Sequence, residues 1–339
     1  VERLLDVDGL GAAGLDGAGV AVAIFDSGLN VAKLEELIGR APNFDAANSW
    51  TPPGISTGAQ HAPGEFPIGH GTLCAYQALI AAPNATLLDF AGLLPAPGGG
   101  GSTIAPVLST ALVGYSQLLA FWGVAFAAGG AGRYKGLVVS NSWGLPNPEL
   151  DFPPGHPGRY GDNPNHPFNL VVAALARSNA DILFATGNCG RDCAFEGCPA
   201  DGKDTIAGAA ALAETLTVAG CDVRDRRVGY SSQGPAVAGM GPPKPDLAAY
   251  THYLGSELEG AGMPDRGVSV ACPLAAGGVA ALRTQAAPDA VPSADLFKTL
   301  RETARPVDGQ TCRNDDVGHG VIDPLAAARA LGLPCGPAS

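Results

Sequence analysis

Four short motifs in this chain of 339 residues hold side chains that could do chemistry together. Asp26 closes the apolar run Val20–Phe25 and is followed by Ser27-Gly28. His70 stands between Gly69 and Gly71, Asn188 follows Ala185-Thr186-Gly187, and Ser269 follows Gly267-Val268. An orienting acid, a base, an amide donor and a hydroxyl are the parts that acyl transfer by an activated serine requires. Each has a plainer explanation when taken alone. Asp26 and Ser269 could simply cap helices, and Asn188-Cys189-Gly190 could be a turn. Four such motifs in one consistent order are harder to obtain by accident. Two rival chemistries fail on pattern. Asp-Ser-Gly fits an aspartic protease, but that chemistry needs a second such motif to share a proton, and the chain has none. The nucleophile elbow Gly-x-Ser-x-Gly is broken by Ala271, and the order Asp, His, Ser differs from that of the elbow's fold.

Those side chains need a scaffold, and the bulk composition supplies one. Hydrophobic residues make up 46 % and charged residues 15 %, enough apolar mass for a buried core. A formal charge of −12 argues against nucleic acid as a partner, since phosphate binding needs clustered Lys and Arg. Eight cysteines permit disulfides without requiring them. Cys189, Cys193 and Cys198 crowd one loop; disulfides are favoured there over free thiols, and the spacing suits zinc poorly. The chain starts at Val1 with no basic and apolar leader, so a targeting segment or propeptide is expected to have been removed. A secreted or extracytoplasmic location agrees with the cysteines.

Continuous apolar runs of strand length recur at Val20–Phe25, Thr86–Phe90, Leu137–Ser140, Asp181–Ala185 and Thr215–Ala219. Continuity, rather than alternation, is expected of parallel strands covered on both faces. Helical segments are expected between them at Val31–Ile38, Gly71–Ala81, Ile104–Ala128, Asn169–Ser178, Val270–Ala286 and Asp295–Thr303. The alternation predicts an α/β fold, three layers around a mostly parallel central sheet. A single domain with a core over about 19–329 is expected. Ile104–Ala128 carries no charge, yet its Pro, Ser, Gly and Gln residues favour a fully buried helix over a membrane span. Leu145–Phe168, with seven prolines, and the glycine-rich Pro95–Ser102 are expected to be loops. Gly9–Gly14 spells a dinucleotide fingerprint but precedes a strand instead of following one. Asn84-Ala85-Thr86 is a glycosylation sequon whose use depends on context.

With these motifs and this element order, the chain resembles the subtilisin-like serine proteases, or subtilases, from about Gly19 to Arg329. Asn141-Ser142-Trp143-Gly144, Tyr230 to Pro235 and Lys244 to Ala248 add to the resemblance. It implies a serine endopeptidase in which Asp26, His70 and Ser269 form the triad and Asn188 serves the oxyanion. It further implies that Ser142, Trp143 and Gly144 pair with the substrate backbone. With Ala185, Thr186 and Gly187 they would wall the pocket for the residue before the cut. No cofactor is required; a structural calcium is conceivable but unsupported, because the segment Ala82–Ala85 is too short for the family's calcium loop. Two departures stand out: Val268 where the family usually carries Thr, and Leu274 where it usually carries His. Leu145–Phe168 and Cys189–Cys198 are additions flanking the cleft. The expected partner is a peptide or protein substrate. Two other readings remain open at this level: a processing protease dedicated to one precursor, and a peptide-binding module with weakened catalysis.

Overall fold

The structure, a computed structural model, describes residues 1–53, 61–93, 104–127, 133–307 and 309–335. Strands β1 (Val20–Phe25), β2 (Thr86–Phe90), β3 (Gly136–Asn141), β4 (Asp181–Ala185), β5 (Leu216–Cys221) and β6 (Leu247–Tyr250) form one sheet. Every pairing is parallel, in the order β2-β1-β3-β4-β5-β6. The order reverses direction beside β1, and ligands of such sheets bind outside the carboxyl ends of the strands at such a point.

Apolar residues stand on both faces of β1. Val20, Val22 and Ile24 enter one core cluster while Ala21, Ala23 and Phe25 enter the other. Continuous hydrophobic runs are therefore what the two-sided burial demands. Helices α1 (Glu2–Leu5), α2 (Val7–Ala12), α3 (Val31–Ile38) and α4 (His70–Ala81) come first in the chain. They are followed by α5 (Ala105–Ala127), α6 (Pro167–Arg177), α7 (Val268–Arg283), α8 (Ser293–Thr303) and α9 (Pro324–Ala330). Residues of α4, α7, α8 and α9 build one core, and α5 and α6 build the other. The three-layer α/β architecture expected from the alternating runs is the one observed.

Several local expectations need correction. β6 has only four residues, Leu-Ala-Ala-Tyr, directly after Lys244-Pro245-Asp246, too short to read as an apolar run. Helices α1, α2 and α9 do not stand out in the sequence either, being short. The fingerprint-like glycines lie at and after α2, which is six residues long. The proline-rich segment before α6 is irregular as expected, apart from a 3-10 turn at Pro148–Leu150. It is nonetheless fastened: the buried Asp151 carboxylate accepts from the amides of Tyr160 and Gly161, both at 2.8 Å. Helix α5 is not fully buried. Over Ala105–Val124 it is long and apolar enough to cross a membrane, and 39 % of its most apolar window is buried. Its inner face, including Leu108, Tyr115, Leu118 and Trp122, lies in the core, while Val113 and Val124 are exposed. The glycine-rich Pro95–Ser102 lies outside the described residues.

Helix α7 is the axis of the molecule. Fifteen of its sixteen residues are buried, and it packs on α4 closely enough that a Cβ on Gly277 would stand 2.2 Å from the Ala78 carbonyl oxygen. At its far end Arg283 is clamped to Asp181, at the start of β4, through Nε–Oδ2 (2.6 Å) and Nη2–Oδ1 (2.7 Å), with both side chains fully buried. Removing one partner of such a pair strands the other charge in the core. Arg283→Met is therefore expected to cost about 3–5 kcal/mol of unfolding free energy. Urea titration checks it, and a loss below about 1 kcal/mol would contradict the account.

Candidate functional site

Three neighbouring strands deliver the site. Asp26 follows β1, Ser142 follows β3, and Thr186-Gly187-Asn188 follow β4, all at carboxyl ends. His70 and Ser269 arrive on the first turns of α4 and α7.

The Asp26 carboxylate, 1 % exposed, meets His70 Nδ1 at 2.9 Å (Oδ1) and 3.0 Å (Oδ2), with the ring itself 42 % exposed. Oδ1 also accepts from the Ser27 amide at 2.7 Å. Neutral Nδ1 must carry the proton to bond a carboxylate, so Nε2 is left as the ring's acceptor. Gly71 has a more specific reason to lack a side chain than an open approach to the ring: a Cβ there would stand 2.4 Å from the Gly28 carbonyl oxygen. The turn after Asp26 thus lies directly against the start of α4.

Sulfur enters next. Cys74, one helical turn below His70, is 1 % exposed. Its Sγ lies 3.7 Å from Asp26 Oδ2, 3.8 Å from His70 Nδ1 and 3.5 Å from the Ser269 carbonyl oxygen. The Cys74 sulfur, so far as it is ionised, and then the Asp26 carboxylate raise the His70 pKa, against burial. Burial pushes the Cys74 thiol itself up. That keeps the sulfur neutral near pH 7 and leaves the carboxylate as the standing cause.

Ser269 is the second residue of α7, which begins at Val268, two residues earlier than expected. Its amide belongs to the first turn, where N–H groups have no intrahelical acceptor. Pro273 lies in the second turn of α7. Its ring nitrogen therefore removes the bond that the Ser269 carbonyl would have accepted. The Ser142 hydroxyl donates to that carbonyl instead, at 3.0 Å, with the Cys74 thiol at 3.5 Å. Among the described residues the Ser269 hydroxyl bonds to the Ser142 carbonyl, at a long 3.4 Å, and not to the His70 ring.

Asn188 Oδ1 accepts from the Val268 amide at 2.8 Å. This settles which end of the amide is oxygen and leaves the NH₂ as donor. The Gly267 turn is held by Tyr230 and Thr251. The Tyr230 hydroxyl accepts from the Gly267 amide (3.1 Å), and the Thr251 hydroxyl donates to the Gly267 carbonyl (2.7 Å). Ser232 Oγ accepts from the Cys189 amide at 3.0 Å.

A cavity of about 240 Å³ opens beside Ser269 and Asn188. Ser142, Trp143, Gly144, Ala185, Thr186 and Gly187 all line it. Its outer wall is the loop closed by the Cys189–Cys198 disulfide, which contributes Phe195 and Glu196. The Phe195 amide donates to the Asn188 carbonyl at 2.9 Å, which ties this wall to Asn188. Among the described residues the other cysteines are free thiols. Sequence reasoning missed Cys74, although its i+4 spacing from His70 places both on one helix face. It also missed Phe195 and Glu196, for which no local signal exists. Among the described residues, Asp26, His70 and Cys74 are the cluster of potential metal ligands; Asp26 and Cys74 are buried and the ring is partly exposed.

A family model described as the subtilase family matches residues 17–320. The human and mouse membrane-bound transcription factor site-1 proteases are each 31 % identical over 173 residues, 49 % of this chain and 15 % of theirs. The chain thus spans a small part of the length of those relatives. Among solved structures, the MycP3 protease of the type VII (ESX-3) secretion system is similar with a TM-score of 0.64 at 20 % identity. That match covers 96 % of this chain and 86 % of the other. A psychrophilic protease is similar with a TM-score of 0.59 at 19 % identity, covering 91 % and 92 %. These likenesses support the fold.

The electrostatics of the pair can be read directly. Asp26→Asn removes a carboxylate that raises His70, so the His70 pKa is expected to fall toward or below its ordinary value of about 6.5. NMR titration of the ring protons measures it, and an unchanged pKa would show that the pair is not coupled in solution.

Proposed function

This chain belongs to the subtilase family, a family of serine peptidases, and we propose that it cuts peptide bonds through an acyl-enzyme formed on Ser269. The observation that carries the reading is the buried Asp26 carboxylate held 2.9 Å from His70 Nδ1, at the sheet end where Ser269 begins its helix. His70 Nε2 takes the proton of the Ser269 hydroxyl as the oxygen attacks the scissile carbonyl, then returns it to the leaving amine. Asp26 holds the ring in the tautomer that makes this possible and stabilises its cation. For the attack, the hydroxyl leaves the Ser142 carbonyl by rotation about χ1; catalytic hydrogen bonds are often long or misaligned before substrate binds.

The Asn188 NH₂ and the Ser269 amide receive the oxyanion, the latter with the dipole of α7 behind it. Val268 offers no hydroxyl to this site. The substrate backbone adds as a strand along Ser142–Gly144, and the side chain before the cut enters the cavity. Water then hydrolyses the ester, with His70 again as base. An extracytoplasmic place of action fits the Cys189–Cys198 disulfide, since such bonds persist in oxidising compartments. The disulfide-closed wall and the fastened proline-rich segment beside the pocket favour a selective peptidase, one that processes few precursors, over a general scavenger.

A serine-directed covalent inhibitor is expected to label Ser269 in the wild type, and Ser269→Ala is expected to lower kcat by roughly 10⁶. Unchanged cleavage of peptides by that variant would refute the reading and leave a binding module in its place. Asn188→Ala is expected to lower kcat by about 10²–10³ with little change in KM. A rise in KM alone would mean that Asn188 serves binding and not the oxyanion.

A further inference from the structure

We propose that Asp89 is a positioning residue for this reaction: its buried carboxylate ties the turn that follows Asp26 to the segment that leads into His70. The inference rests on the roles just assigned to Asp26 and His70. Asp89 lies in β2, beside Ile24 of β1, and its side chain is fully buried. A single oxygen, Oδ2, accepts from the Leu29 amide at 3.1 Å and from the Gly64 amide at 2.8 Å. Leu29 is three residues beyond Asp26, and Gly64 is six residues before His70.

The same two segments are stitched around this point by backbone bonds, Phe66 N–H to the Leu29 carbonyl (2.9 Å) and Val31 N–H to the Gly64 carbonyl (2.8 Å). The side-chain NH₂ of Asn30 donates a further bond to the Phe66 carbonyl at 2.7 Å. Asp89 is the centre of that seam, and the seam is what holds Asp26 in reach of the ring. Nothing in the packing of a strand reading Thr-Leu-Leu-Asp-Phe asks for a carboxylate. The other oxygen, Oδ1, is buried without a partner among the described residues, a state that costs free energy and calls for a reason.

Burial raises the Asp89 pKa, the two amide bonds lower it, and the charge of Asp26 raises it again, leaving it at about 7. Asp26 is the charged group facing it, and among the described residues no cation pairs with it. Ionised Asp89 makes the stronger, charge-assisted bonds to both amides. The folded chain holds this proton more tightly than the unfolded chain, where a carboxyl titrates near 3.9. The group's contribution to stability is therefore greatest below about pH 4 and declines as pH rises to about 7.

The test compares Asp89→Ala, Asp89→Asn and the wild type. Asp89→Ala is expected to lower kcat by about tenfold or more with KM within about twofold, the mark of misplaced catalytic groups. Asp89→Asn keeps one acceptor for both amides, so it is expected to restore kcat to within about threefold. Independently of turnover, the NMR signal of the His70 Nδ1 proton is expected to be lost or shifted in Asp89→Ala and retained in Asp89→Asn. The proposal is overturned if a folded Asp89→Ala keeps both kcat and the His70 signal. It is overturned equally if Asp89→Asn loses as much kcat as Asp89→Ala, because the acceptor it keeps for the two amides would then not matter. Should the alanine variant fail to fold, Asp89→Leu, which fills the space without an acceptor, takes its place in both readouts. If the wild type itself is not labelled by a serine-directed inhibitor, the peptidase mechanism fails, and the His70 signal still decides the role of Asp89.

Discussion

The crossing of α4 over α7 governs the rest of this molecule. At Gly277 the two helices come so near that a methyl group would collide with the Ala78 carbonyl. His70 lies eight residues before Ala78, and Ser269 lies eight residues before Gly277. At a rise of about 1.5 Å per residue, each sits about 12 Å from the crossing along its own helix. The two residues are thus equally far along their helices from this contact, and a larger residue at 277 would push the two helices apart.

A second constraint follows from one absent hydrogen bond. Pro273 cannot donate to the Ser269 carbonyl, and a buried acceptor left without a partner is costly. The Ser142 hydroxyl and the Cys74 thiol fill that place, drawing the end of β3 and the first turns of α4 and α7 onto a single oxygen. Tyr230, Thr251 and Asn188 then grip the residues on the other side of Ser269. Ser269 is thus held by its own backbone, while its hydroxyl makes one long bond, to the Ser142 carbonyl at 3.4 Å.

The pocket has a different origin. Its inner walls are the ends of β3 and β4, which the sheet places side by side. Its outer wall is a loop closed on itself by Cys189–Cys198 and bonded to the Asn188 carbonyl through the Phe195 amide. Shape at this wall is consequently linked to the amide that would face the oxyanion. The inner wall belongs to the sheet, and the outer wall to a loop outside it.

Local chemistry was readable from the chain alone wherever it depends on near neighbours. Apolar runs covered on two faces announce parallel strands, and five of the six were visible; Leu247–Tyr250 was too short to be seen. Asp26, His70, Asn188 and Ser269 were visible because each sits at an element boundary marked by glycine or by an apolar run. What near neighbours cannot encode is which distant groups share one small volume. That Gly71 is needed for the Gly28 carbonyl, that Cys74 lies between carboxylate, ring and Ser269 carbonyl, and that Asp89 joins two loops all depend on contacts across dozens of residues. Helix α5 makes the same point from its outer face: its composition predicted full burial, yet only packing decides how much of an apolar helix finds a partner.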